Sequence, residues 1–111
     1  MTLDSNALLT DFYELSMVDI FESCHMEDTA VFEFFVRKFP AGRGFLMAAG
    51  LEQLVSSLAN IRFTPDDISW LQSLRQFSPE TLQSLSKFRF DGDVDAMPEG
   101  PSSFRRSPLF E

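Results

Sequence analysis

The fold is best approached from the stretch Leu8-Leu9-Thr10-Asp11-Phe12-Tyr13-Glu14-Leu15-Ser16-Met17, which opens a segment with helical periodicity. Its apolar residues continue at helical offsets and share one stripe: Tyr13, Met17, Ile20, Phe21 and Cys24. Thr10 or Asp11 can cap the first turn, because a short polar side chain accepts hydrogen bonds from free helix N–H groups. We therefore predict a helix over about residues 8–24, with a stripe that is typical of a surface facing a core.

Two further elements are predicted before residue 60. Residues 30–36 alternate between a more apolar and a less apolar face, which is the period of a strand. Turn residues at 40–44 end that strand. The apolar positions from Phe45 to about Leu58 then predict a helix buried on more than one side, with Gly50 allowing close backbone approach.

The remaining elements complete a mixed architecture. Thr64-Pro65 and Ser78-Pro79 each combine an N-cap hydroxyl with a proline at the first helical position, and so predict two more helices. Residues 88–97 alternate apolar side chains around Gly92, which predicts one or two short strands. We expect an α/β fold of the layered α+β type, with helices packed on a small mixed sheet.

Composition limits the functional classes. The chain has 111 residues, the size of one domain, and a net charge of −8, which argues against a nucleic-acid surface. Its single cysteine, Cys24, cannot form an internal disulfide, and no apolar run reaches membrane-spanning length. These features favour a cytoplasmic protein. The chain has 13 phenylalanines, an unusually high number for its length, which indicates apolar surface that another domain or subunit covers.

Four segments in the same order carry a family resemblance. These are residues 8–17, 32–38 (FEFFVRK), 42–52 (GRGFLMAAGLE) and 90–100 (FDGDVDAMPEG). Together they resemble the amino-terminal region of nicotinate phosphoribosyltransferase. The resemblance implies that residues 1–111 form an amino-terminal α/β domain of a type II phosphoribosyltransferase-like fold, incomplete as an enzyme because the catalytic barrel lies downstream.

The resemblance also implies three substrate-binding residues. A family Asp-x-Tyr motif corresponds to Asp11 and Tyr13, and its tyrosine reaches across a dimer interface to stack on the pyridine ring. Arg37 corresponds to an arginine that helps to hold phosphate, and a guanidinium suits this role because its fork can engage two oxygens. Read without the resemblance, Tyr13 would simply open an apolar helix stripe, and Arg37 would be a solvated charge at a strand end.

No catalytic residue is expected in this segment. The family histidine that ATP phosphorylates lies in the downstream barrel, so His25 is not that residue. Mg²⁺ and ATP are implied by the family and are assigned to no residue here. The alternating residues Asp91, Asp93 and Asp95 lack the glycine and glutamate of a calcium-binding EF-hand loop, so no metal site is predicted.

The resemblance implies an activity for the full-length enzyme. Nicotinate and phosphoribosyl pyrophosphate would give nicotinate mononucleotide and pyrophosphate, with ATP hydrolysis, in NAD salvage. A homodimer is the expected assembly, with neither nucleic acid nor membrane as a partner. The alternatives are a noncatalytic interaction module that uses its phenylalanine-rich surface, or a decayed-gene fragment without activity. The 111-residue chain alone is expected to be inactive.

Overall fold

The structure is a computed structural model that describes residues 6–100, 102–103 and 108–110. Four helices dominate it: α1 (Phe12–Ser23), α2 (Leu51–Asn60), α3 (Pro65–Ser73) and α4 (Pro79–Lys87). Four short strands accompany them: β1 (Phe34–Phe35), β2 (Leu46–Met47), β3 (Ser102–Ser103) and β4 (Pro108–Phe110). Within the described residues, no helix is both long enough and apolar enough to cross a bilayer.

The chain divides into two compact units. The first contains the described parts of Met1–Asp28 and Ser57–Phe90, and the second contains the described parts of Thr29–Ser56 and Asp91–Glu111. Helices α1, α3 and α4 belong to the first unit, and all four strands belong to the second.

A small apolar core holds the first unit together. Leu71 of α3 is fully buried, and Leu85 of α4 and Leu15 of α1 are nearly so. Phe63 closes the core from the segment before α3, with its ring 6.0 Å from that of Phe88 in an edge-to-face arrangement. Each helix of this unit therefore contributes at least one leucine to a shared interior, and this burial is the main favourable term in its stability.

The two predicted proline-containing helix starts are confirmed. Thr64 is the N-cap of α3: its hydroxyl accepts from the Asp67 N–H at 3.1 Å, and its own N–H donates to the Asp67 carboxylate at 2.8 Å. Ser78 is the N-cap of α4, and its hydroxyl accepts from the Thr81 N–H at 3.2 Å. These bonds satisfy donors that the first helical turn leaves without partners, and the pair in α3 is reciprocal.

The strands of the second unit form two separate two-stranded ladders. Strand β1 pairs antiparallel with β4, and β2 pairs antiparallel with β3. The register between β1 and β4 shifts between Phe34 and Phe35. The described residues thus contain helices and short antiparallel ladders in place of the single mixed sheet that the sequence predicts.

Three predicted elements differ from the structure. The strand expected over residues 30–36 is limited to Phe34–Phe35, because its partner is short and its register is interrupted. The helix expected from Phe45 begins only at Leu51, since Leu46–Met47 pairs with β3 and Gly50 adopts a left-handed φ of 96°. Residues 88–97 contain a single-residue bridge at Ala96 and no longer strand.

The burial predicted for two helices is also wrong. No residue of α2 is fully buried, and its half-buried leucines, at positions 51, 54 and 58, share one face. In α1 the predicted core stripe is the exposed side, because Tyr13, Met17, Ile20 and Phe21 all lie open to solvent. The face that packs inward carries Leu15 and Val18. Periodicity detected an apolar stripe on α1 but not which of two faces the core would occupy.

Candidate functional site

The first turn of α1 is held by polar bonds around Glu14. Asp11 is the N-cap residue, in extended conformation, and its N–H donates to the Glu14 carboxylate at 3.2 Å. The Thr10 hydroxyl donates to the same carboxylate oxygen. A negative group at this position also complements the positive end of the helix dipole. Of the two predicted cap residues, Asp11 occupies the N-cap position, and the bonds that hold the turn run to the Glu14 carboxylate.

Tyr13 projects from this ordered turn into solvent. About 60% of the residue is exposed, although it is a large aromatic residue only two positions before the buried Leu15. The neighbouring ring of Phe12 is instead engaged, at 5.6 Å from the ring of Phe77. The turn thus presents one aromatic face that can stack on a planar ligand, and it anchors the adjacent aromatic side chain.

The middle of α1 is attached to the start of α4 through Asp19. One carboxylate oxygen, Oδ1, accepts three hydrogen bonds: from the Thr81 hydroxyl at 2.6 Å, the Ser78 N–H at 3.0 Å and the Ser78 hydroxyl at 3.1 Å. These bonds, with the Thr81 hydroxyl contributing most, lower the pKa of Asp19 below its usual value. Sequence reasoning missed this cluster. Its available signal was a carboxylate between Val18 and Ile20 in an otherwise apolar run.

Arg37 lies in the second unit, two residues after β1, at a bend. Its side chain is exposed. Asp11 and Tyr13 belong to the first unit, where they lie two residues apart at the start of α1. The assignment of Arg37 to phosphate binding stays a prediction, as do the roles of Asp11 and Tyr13.

Glu99 has a local role that the sequence left open. Its carboxylate oxygen Oε1 accepts from the Gly50 N–H and the Leu51 N–H, both at 2.6 Å. The next residue, Gly100, donates its N–H to the Ala48 carbonyl at 2.9 Å. The Pro98-Glu99-Gly100 turn therefore caps the start of α2 from 49 residues away in sequence, all within the second unit.

Replacing Glu99 with Ala should loosen the start of α2. Loss of a helix-capping acceptor costs about 1 kcal/mol, and here a charged acceptor serves two donors. We expect amide hydrogen exchange at Gly50 and Leu51 to accelerate about tenfold, a factor that corresponds to about 1.4 kcal/mol. Glu52→Gln is the matched control, because it removes a nearby charge on α2 without removing these bonds. Equal acceleration in both variants would contradict the cap.

Two depressions on the described surface include no predicted site residue. One is an open groove of about 480 Å³ between α3 and α4, lined by residues that include Ile68, Arg75 and Leu82. The other, of about 540 Å³, lies along the loop Gly42 to Met47. Within the described ranges, no three His, Cys, Asp or Glu side chains are grouped to hold a metal ion. The association of Mg²⁺ and ATP with the complete enzyme stays a prediction from the family resemblance.

Comparison with known proteins gives a consistent result over nearly the whole chain. The family model described as the nicotinate phosphoribosyltransferase (NAPRTase) N-terminal domain matches residues 8–111. Nicotinate phosphoribosyltransferase pncB2 of Mycobacterium tuberculosis is 47% identical over 105 residues, which cover 95% of this chain and 23% of that protein.

Relatives of lower identity come from other organisms. Nicotinate phosphoribosyltransferase of Bacillus subtilis is 33% identical over 108 residues, covering 96% of this chain and 22% of the relative. The protein of the same name from Bos taurus is also 33% identical over 108 residues, which cover 94% of this chain and 20% of the relative. The chain thus spans less than a quarter of the length of these curated relatives.

Proposed function

Because the chain belongs to the nicotinate phosphoribosyltransferase family, matching its N-terminal domain, we propose that it is the amino-terminal part of such an enzyme. The complete enzyme would form nicotinate mononucleotide and pyrophosphate from nicotinate and phosphoribosyl pyrophosphate, with ATP hydrolysis, in NAD salvage. The observation that carries this proposal is the match over residues 8–111, which includes the exposed Asp11–Tyr13 helix start.

In this proposal the chain supplies binding groups and not the reacting groups. The pyridine nitrogen forms a bond to the ribose carbon while pyrophosphate departs with the electrons of the bond that breaks. Tyr13 stacks on the ring and Arg37 contacts phosphate oxygens, so both help to orient the substrates for this displacement. Asp11 caps the turn that presents Tyr13. Mg²⁺ would accompany the pyrophosphate groups. The remaining catalytic groups would belong to a barrel in the rest of the enzyme. The complete enzyme would have a type II phosphoribosyltransferase-like fold.

We also propose that the working enzyme is a homodimer in the cytoplasm. Tyr13 would then stack on the ring bound by the second subunit. The exposed apolar side of α1 supports this proposal, because Met17, Ile20 and Phe21 continue from Tyr13 along the helix. Such a continuous apolar surface is typical of a face that is covered in an assembly.

A chimera tests the proposed function directly. Residues 8–111 would replace the matched region of the Mycobacterium tuberculosis relative pncB2, to which the chain is 47% identical. We expect the chimera to form nicotinate mononucleotide from nicotinate and phosphoribosyl pyrophosphate, and to lose this activity when the segment is deleted. The isolated 111-residue chain should give no turnover.

The control is the same relative, reassembled at the same junctions with its own segment. A chimera that folds and dimerises like this control, yet makes no nicotinate mononucleotide, would contradict the proposed function. Such a result would favour an interaction module or a decayed gene instead.

A further inference from the structure

Outside the apolar core, helix α1 makes two further contacts with the first unit, at residues that lie seven positions apart. Phe12 packs its ring on Phe77, and Asp19 accepts three hydrogen bonds from Ser78 and Thr81. Seven residues make about two helical turns, so Phe12 and Asp19 lie on the same side of α1. Their partners Phe77 and Ser78 are consecutive, at the junction before α4. The short segment at the start of α4 therefore contacts α1 at both ends of a two-turn span.

Hydrophobic burial alone would only weakly determine the rotation of α1 about its own axis. Leu15 is buried and Val18 is half-buried, whereas a second apolar side, from Tyr13 to Phe21, faces solvent. Rotation of the helix could exchange one apolar side for the other at little cost in buried area, because hydrophobic burial is not directional. Hydrogen bonds are directional, and those to Asp19 require its carboxylate to face the start of α4.

The Thr81 hydroxyl is the central element of this attachment. Thr81 is fully buried, and its hydroxyl lies 2.6 Å from Asp19 Oδ1 and 2.9 Å from the Ser78 hydroxyl. If Asp19 were withdrawn, the Ser78 and Thr81 hydroxyls would keep each other as partners but would lose the charged acceptor that both use, so any rotation of α1 that withdraws Asp19 is opposed. Tyr13 is rotated by about 100° from Phe12 around the helix. The orientation that satisfies Thr81 is therefore the one that leaves Tyr13 exposed.

We propose that Asp19 and Thr81 are positioning residues for the nicotinate site, acting through α1 to fix the orientation of Tyr13. This inference rests on the proposed function, in which Tyr13 stacks on the pyridine ring. Neither residue contacts substrate in this proposal. Their contribution is that the ring of Tyr13 is already oriented before nicotinate binds, so less conformational freedom is lost on binding.

The test uses the active chimera and the nearly isosteric change Thr81→Val, which removes the hydroxyl. We expect the KM for nicotinate to rise about five- to tenfold, a factor that matches the net contribution of one typical hydrogen bond. The KM for phosphoribosyl pyrophosphate should stay unchanged. Thr81→Ser restores a hydroxyl and should return the KM for nicotinate close to its starting value. Ser86→Ala is the matched control, because it removes an exposed hydroxyl from α4 that bonds only to Gln83.

A double variant distinguishes positioning from general destabilisation. If Thr81 acts through Tyr13, then adding Thr81→Val to Tyr13→Ala should not raise the KM for nicotinate further. A merely structural role would lower the melting temperature and the active fraction of Thr81→Val while leaving that KM unchanged.

Each combination of results has a defined meaning. If Tyr13→Ala raises the KM for nicotinate but Thr81→Val does not, the positioning role is overturned and the proposed function stands. If neither variant changes this KM, the stacking role of Tyr13 fails, and the positioning inference fails with it. Additive effects in the double variant would also overturn the inference, because Thr81 would then act independently of Tyr13.

Discussion

Leu71→Ala is expected to lower the free energy of unfolding of the first unit by about 2–5 kcal/mol. Leu71 is fully buried in α3, where its side chain joins Leu15, Phe63 and Leu85 in the core. Removing most of the side chain loses its burial and leaves a cavity that three helices would have to collapse to fill. A domain of this size has only about 5–15 kcal/mol of stability, so the change removes a large fraction of it.

Urea unfolding of the 111-residue chain, followed by the fluorescence of Trp70, measures this loss. Trp70 is the single tryptophan and precedes Leu71 on α3, so its signal reports on the first unit. Leu9→Ala is the matched control: it makes the same chemical change at a residue that is 85% exposed, and it should shift stability by no more than about 0.5 kcal/mol. Similar losses in the two variants would contradict the described core.

Tyr13→Ala is expected to raise the KM for nicotinate about 10- to 100-fold in the active chimera. Stacking of an aromatic ring contributes about 0.5–1.5 kcal/mol beyond the burial of its surface, and the burial itself adds a similar or larger amount. Each 1.4 kcal/mol corresponds to a factor of about ten in affinity. Because Tyr13 is largely exposed and its ring supports no part of the core, the substitution should leave the fold intact.

Steady-state kinetics with each substrate varied in turn checks this prediction. Tyr13→Phe retains the ring and should keep the KM for nicotinate within about threefold of the starting value, since stacking needs the aromatic face and not the hydroxyl. An unchanged KM in Tyr13→Ala, measured on a protein with an unchanged melting temperature, would eliminate the stacking role.

Local signals in the sequence predicted local features well. The N-caps at Thr64 and Ser78, each followed by proline, place the starts of α3 and α4 correctly, because capping depends on residues three positions apart. Asp11, the N-cap of α1, was one of the two residues predicted for that role. The family was also predicted correctly from the sequence, because the four segments that carry the resemblance are contiguous motifs in a recognisable order.

Features that depend on distant partners were predicted less well. Leu46 and Met47 fit a helical pattern but form a strand, because β3 lies more than 50 residues further along the chain. Glu99 caps α2 across a similar separation, which no periodicity reveals. The cluster of Asp19, Ser78 and Thr81 spans about 60 residues in the same way.

The sequence by itself determined the family, the capped starts of three helices and the candidate ring of Tyr13, because each depends on residues that are neighbours in the chain. Only the tertiary structure decided which side of α1 is buried. Both sides are apolar, so hydrophobic periodicity could not distinguish them. The structure packs the side with Leu15 and Val18 inward, and Asp19 accepts hydrogen bonds from Ser78 and Thr81 there, while Tyr13 is exposed on the other side.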